Sequence, residues 1–201
     1  MKSTRKFLQL RLRHLLFVIL IFSCLLAWYE IRYLRVHRTR AFCEANGMYV
    51  FSLEEPEPSY LPAFLQPPPP IEGVGVTYKG KGAQNVAKAV EMLRVLGTVR
   101  ELHFRREELT PADLREFSKL KTITIVKVER GCSDAQLEPL LSLPLEEYIA
   151  DREFSVITEY QFRKLVELKT LKKIGGSDFR QVPRELRRKY PNLKIEITDI
   201  W

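Results

Sequence analysis

Histidine and cysteine are scarce in this chain, with three of each in 201 residues. His14, His37 and His103 are far apart, and no CxxC or HExxH spacing occurs. GxSxG and Walker sequences are absent too. Gly73-Val74-Gly75 and Gly80-Lys81-Gly82 have the glycines of a phosphate loop, but no Ser or Thr follows Lys81, so both read as turns. The three cysteines, Cys24, Cys43 and Cys132, are too few and odd in number for a disulfide framework. The simplest assignment has Cys24 facing lipid, Cys43 packed on a helix and Cys132 beside a helix cap. A Cys43–Cys132 bridge in an oxidising compartment stays open. No reaction can be assigned from these residues, and neither an enzyme nor a metal or cofactor site is expected.

A surplus of positive charge is also missing from most of the chain. The formal net charge is +8, but nine of the 33 Lys and Arg and only one of the 25 acids lie in residues 1–40. That leaves 24 of each sign beyond residue 40. A basic arm of this kind beside an apolar run is membrane chemistry, and a nucleic-acid partner is not expected.

The apolar run is Leu15 to Tyr29, broken only by Ser23. Its ten Leu, Ile, Val and Phe side chains between 15 and 26 are worth about −0.3 to −0.6 kcal/mol each on an insertion scale, roughly −4 kcal/mol together. Trp28 and Tyr29 are placed as interfacial anchors. A cleavable leader needs a small-x-small site, which Leu25-Leu26-Ala27 does not supply. The lipoprotein pattern fails at Phe22, which precedes Ser23-Cys24. An uncleaved signal anchor is the expectation. It gives a basic tail at 1–14, a transmembrane helix at 15–34, a juxtamembrane helix and short strand at 35–53 and a Pro-rich spacer at 54–70. Pro67 to Pro70 are expected to be extended as polyproline II, and Tyr60 to Leu65 to form a small apolar turn. The positive flanks barely favour the N-terminus inside, with the remaining chain on the extracytoplasmic side of the cytoplasmic membrane.

Residues 71–201 repeat one unit. In Glu101 to Leu120, Leu102 and Phe104 alternate with polar residues as in a half-buried strand. Thr110, Pro111 and Asp113 then read as N-cap, N1 and N3 of a helix. Ser133/Gln136 and Thr158/Gln161 repeat the cap, and Val182-Pro183 keeps the proline with Val182 at the cap position. A looser first copy begins at Gly82 and ends at Gly97. Strand pairs are expected at Val76/Tyr78, Leu102/Phe104, Ile123/Ile125, Tyr148/Ala150, Ile174 and Ile195/Ile197. Apolar stripes such as Leu114/Phe117/Leu120 and Phe162/Leu165/Leu168 are core faces. Pro139 shortens or bends its helix. A period near two dozen residues with one strand and one helix per turn predicts an α/β fold, a short right-handed βα solenoid with a parallel sheet.

These copies, with the closing phrase Tyr190-Pro191-Asn192-Leu193-Lys194-Ile195, resemble leucine-rich repeats of the ribonuclease-inhibitor-like kind. The N-terminal layout, Leu10-Arg11-Leu12-Arg13-His14-Leu15-Leu16 followed by Gly47 and Val50, is similar to that of membrane-anchored bacterial leucine-rich-repeat proteins. No copy carries the asparagine that such repeats place after the strand. The resemblance implies a non-catalytic interaction module with a protein partner, tethered to the bilayer through Leu15–Tyr29. The expected contact residues face away from the core on the strands: Thr77, Lys79, Glu101, His103, Arg105, Thr122, Thr124, Glu147, Ile149, Lys173 and Glu196. An assembly subunit whose repeats pack on other chains, or self-associate, is the rival expectation. Arg184, Arg187, Arg188 and Lys189 form a basic face on the last helix, read as a solvated cap or an acidic-headgroup site.

Overall fold

The computed structural model describes residues 2–53, 69–76, 84–151, 156–176 and 178–197. The chain divides into two units, residues 1–38 with 59–68 and residues 39–58 with 69–201. The first holds α1 (Lys2–Tyr29), a π-helical segment (Glu30–Arg35) and the first residues of α2 (Val36–Ala45), which passes into the second unit after Arg38. From Leu15 to Trp28 the large apolar side chains are about half exposed or more. Over His14–Ala45 the helix is long and apolar enough to cross a membrane. At its end Trp28, Tyr29 and Tyr33 form an aromatic group, with Tyr29 and Tyr33 stacked at 5.0 Å.

The second unit is built on a seven-stranded open sheet: β1 (Met48–Phe51), β2 (Gly73–Val76), β3 (Glu101–Arg105), β4 (Ile125–Glu129), β5 (Glu147–Asp151), β6 (Lys173–Gly176) and β7 (Lys194–Ile197). The strands lie side by side in chain order. From β2 to β7 every pairing is parallel, as the repeats require. The first pairing, β1 with β2, is antiparallel and departs from the expected all-parallel sheet. Between strands run α3 (Val86–Leu96), α4 (Pro111–Phe117), α5 (Asp134–Leu140), α6 (Glu159–Val166) and α7 (Arg184–Arg188), with α3 beside α4, α4 beside α5 and α5 beside α6. Pro139 sits in the last turn of α5, which ends one residue later.

One phrase recurs at strands β2 to β6. It is Thr or Pro, an apolar residue, two variable positions, then two apolar residues one apart. Thr98-Val99…Leu102/Phe104, Thr122-Ile123…Val126/Val128, Pro144-Leu145…Tyr148/Ala150 and Thr170-Leu171…Ile174 are aligned copies, and Pro70-Ile71…Val74/Val76 opens the series. Except for half-buried Leu171, these apolar side chains are buried, and Leu114, Phe117, Leu137, Leu140, Phe162 and Leu165 close the core from the helices. The Ile123/Ile125 alternation is therefore not a strand pair. Ile123 fills the core before the strand starts, and Ile125 is on the opposite side of β4.

Three capping boxes form as the spacing predicts, at Thr110/Asp113, Ser133/Gln136 and Thr158/Gln161. Two caps shift. The cap of α3 is Asn85, in the left-handed region at φ 51°, with its amide turned to Asn46 at 2.7 Å; Gly82 is outside the described residues. The cap of α7 is Pro183, because Val182 is buried in the core. Gly97 ends α3 at φ 66°, a conformation that favours glycine.

Two of the helix-cap glutamines also reach back to the preceding copy of the unit. Gln136 donates through Nε2 to Arg106 O and Leu109 O, both at 2.7 Å, while its Oε1 accepts from Ser133 N. Gln161 donates to Cys132 O and Asp134 Oδ1, both at 2.9 Å. Each glutamine so caps its own helix and satisfies carbonyl groups of the preceding repeat. A second rung is made of hydroxyls: Thr98 donates to Ile71 O, Thr122 to Val99 O at 2.6 Å and Thr170 to Leu145 O at 2.7 Å. Pro144 leaves a gap in that series, having no hydroxyl.

All three cysteines are free, so the Cys43–Cys132 bridge does not form. Cys43 is buried, and Cys132 Sγ lies 2.9 Å from the buried Tyr148 Oη. The Gly73-Val74-Gly75 segment is neither a phosphate loop nor a turn but strand β2. A Cβ on either glycine would stand 2.2 Å from the ring of Phe51 or Tyr49, so the glycines make room for two aromatics lying across the strand. The spacer at 54–70 lies outside the described residues up to residue 68, as does the Tyr60–Leu65 turn.

Candidate functional site

The exposed side of the sheet is ruled into rows by the register. One row runs Phe51, Gly73, Glu101, Ile125, Glu147, Lys173, Lys194. The next runs Tyr49, Gly75, His103, Lys127, Ile149, Gly175, Glu196. A short third row begins Arg105, Glu129. Of the residues expected here, Glu101, His103, Arg105, Glu147, Ile149, Lys173 and Glu196 are on this face. Thr122 and Thr124 are not. They precede β4, the Thr122 hydroxyl bonds Val99 O, and Thr124 O accepts the amides of Glu146 and Glu147. Their place is taken by Ile125, Lys127 and Glu129, one register step later. Thr77 and Lys79 lie outside the described residues.

Much of the charge is matched across strands. Lys127 Nζ is 3.0 Å from the buried carboxylate of Glu101. Lys173 Nζ stands 2.6 Å from Glu196 and 3.9 Å from Glu147, and Lys194 is 2.5 Å from Glu196. The bond from Lys173 holds the Glu196 carboxyl below the ordinary carboxylate range, and the same bond raises Lys173. The exposed pairs on Glu196 contribute little to stability. Their effect is to fix side chains in rows.

The face becomes concave at its β1 side. Tyr49, Val76, His103, Phe104, Arg105, Glu108 and Glu129 line a pocket of about 200 Å³. Tyr49 Oη is 2.7 Å from His103 Nδ1, and His103 Nε2 is 3.4 Å from Glu129 Oε1. A carboxylate only accepts, so the neutral ring carries its proton on Nε2 and Nδ1 accepts from the tyrosine. Arg105 Nε donates to the other oxygen of Glu129. Burial, then the nearby carboxylates, push the Tyr49 hydroxyl above its usual range, so it is a hydrogen-bond donor and not a phenolate. Glu108 follows β3 in a turn, where its Oε2 accepts from Arg105 N at 2.9 Å. Its Oε1 is buried and has no partner, and burial raises its carboxyl above the ordinary range.

Tyr49, Glu108 and Glu129 were not expected from the sequence. The signal for Glu129 was the Val126/Val128 alternation, which puts residues 125, 127 and 129 outward. Tyr49 reaches the site only because β1 turns back antiparallel. Among the described residues no group of three or more His, Cys, Asp and Glu is disposed to hold a metal. At the other end of the sheet Arg184, Arg187 and Arg188 surround a second concavity beside Ile195. Comparison of the chain with protein-family models, with curated proteins and with solved structures returns no match.

Proposed function

We propose that this is a single-pass membrane protein carrying a short, right-handed, leucine-rich-repeat-like βα solenoid that binds a protein partner through the exposed face of its sheet. The observation that carries this is the ruled face itself: seven adjacent strands presenting fixed rows of charge, aromatic and isoleucine side chains on one rigid surface. The backward-reaching Gln and Thr rungs favour the solenoid. The apolar helix between basic flanks favours the anchor, and the slight excess of cations before the span favours a domain on the extracytoplasmic side of a bacterial inner membrane. The role proposed is non-catalytic.

The test places a photo-crosslinking side chain at Lys127 or Ile149, and at Lys169 on an exposed turn away from the face, in the full chain in native membranes. A discrete protein adduct from the first two positions and none from the third is the expected result; adducts from none of them removes the binding face. A second reading, a subunit packed end to end with other chains, is favoured by β7, whose outer edge has no strand beside it among the described residues. It predicts adducts from Lys194 and Arg188 instead. Protease added outside intact cells is expected to remove residues beyond the span, and protection until lysis reverses the orientation.

A further inference from the structure

The pocket between β1 and β4 has a feature that the rest of the face lacks. The Glu108 carboxylate is half satisfied: Oε2 holds Arg105 N, and Oε1 is buried with no donor. Neither protonation state cures this from among the described residues. Ionised, Oε1 lacks a donor; protonated there, its O–H lacks an acceptor. An unpaired buried carboxylate oxygen is unfavourable, so an occupant that supplies an N–H gains what the folded chain forgoes.

The geometry limits that occupant. At about 200 Å³ the pocket is below the roughly 300–1,000 Å³ of sites for drug-sized ligands, and it opens onto the face proposed to meet a protein. It has room for the end of one side chain. Tyr49, Phe104 and Val76 give apolar walls for a methylene stem. A single orphan oxygen offers one acceptor, whereas a guanidinium is matched to a carboxylate with both oxygens open. We propose that the pocket takes the ammonium group of a lysine side chain presented by the protein partner, bonded to Glu108 Oε1. This rests on the reading of the sheet face as an interaction surface and names the chemistry of its contact.

The test is carboxyl ¹³C NMR on the full-length protein in detergent micelles with labelled glutamate, titrated with n-butylammonium, with Nα-acetyl-lysine N-methylamide and with n-butanol. The Glu108 signal is identified by its loss in Glu108→Gln, which keeps the acceptor for Arg105 N. Both ammonium probes are expected to move that signal saturably and n-butanol is not. In Glu108→Gln, binding followed on the Tyr49 ring is expected to weaken about tenfold or more, the size of a lost charge-assisted hydrogen bond. Glu108→Asp, which withdraws the carboxylate by one methylene, serves if Glu108→Gln does not fold, and the same weakening is expected. No saturable shift with either ammonium, equal binding to the variants, or binding of n-butylammonium alone overturns the proposal. Ammonium binding with no cross-linked protein at Lys127 or Ile149 sinks the interaction reading alone, and the reverse result sinks this one.

Discussion

Two buried thiols show how far single residues are shaped by their surroundings. Burial pushes Cys43 up from 9.0 to about 12 and Cys132 from 9.0 to about 11. The reactive form is the thiolate, so neither is available to an alkylating agent near pH 8. Iodoacetamide with mass spectrometry is expected to modify both only after denaturant is added. The linkage follows directly. In the unfolded chain Cys43 ionises near 9.0, while folded it keeps its proton to about 12, so its contribution is intact below pH 9 and is lost as pH rises toward 12. An alkaline unfolding midpoint that moves upward in Cys43→Ala checks the sign. Gln136 is the residue whose loss reaches furthest. Gln136→Met strands the carbonyl groups of Arg106 and Leu109 and the amide of Ser133. A destabilisation of about 1–3 kcal/mol in urea unfolding is expected.

Elements are where the sequence was most and least legible. The three capping boxes could be placed to the residue because their signal is local, a hydroxyl followed three positions later by an acceptor. Thr158→Ala is expected to cost about 1 kcal/mol, measured in the same assay. Strand β4 was read one step out of register, because Ile123-Thr124-Ile125 alternates as convincingly as Val126-Lys127-Val128. Only the neighbouring strand decides between them, and that moved the site from Thr122 and Thr124 to Lys127 and Glu129. The inter-repeat role of Gln136 and Gln161 was hidden behind their visible role as caps. Tyr49 was invisible as a site residue because nothing local announces that β1 runs antiparallel. Gly75→Ala tests that placement. A Cβ there meets the Tyr49 ring at 2.2 Å, so the ring must swing from His103. Loss of about 1 kcal/mol, with altered Tyr49 and His103 NMR signals, is the expected outcome.

At the scale of the whole molecule, the proposed anchor would be brought close to balance by a single charge. An arginine at the centre of a span costs about 2.5–3.5 kcal/mol, nearly cancelling the roughly −4 kcal/mol of the apolar run. Leu20→Arg is therefore expected to divide the protein between membrane and carbonate-extractable fractions, while Leu20→Ala leaves it in the membrane. The sheet has its own asymmetry. Thr98, Thr122, Thr170, Gln136 and Gln161 all donate to groups earlier in the chain. The strand-entry amides of Arg100, Thr124, Glu146 and Lys172 do so as well. For these rungs a ribosome therefore releases the acceptor before the donor that seeks it. Each such donor finds its acceptor already made, and a chain cut short at its C-terminal end leaves few of these donors stranded, whereas one begun late strands a whole tier.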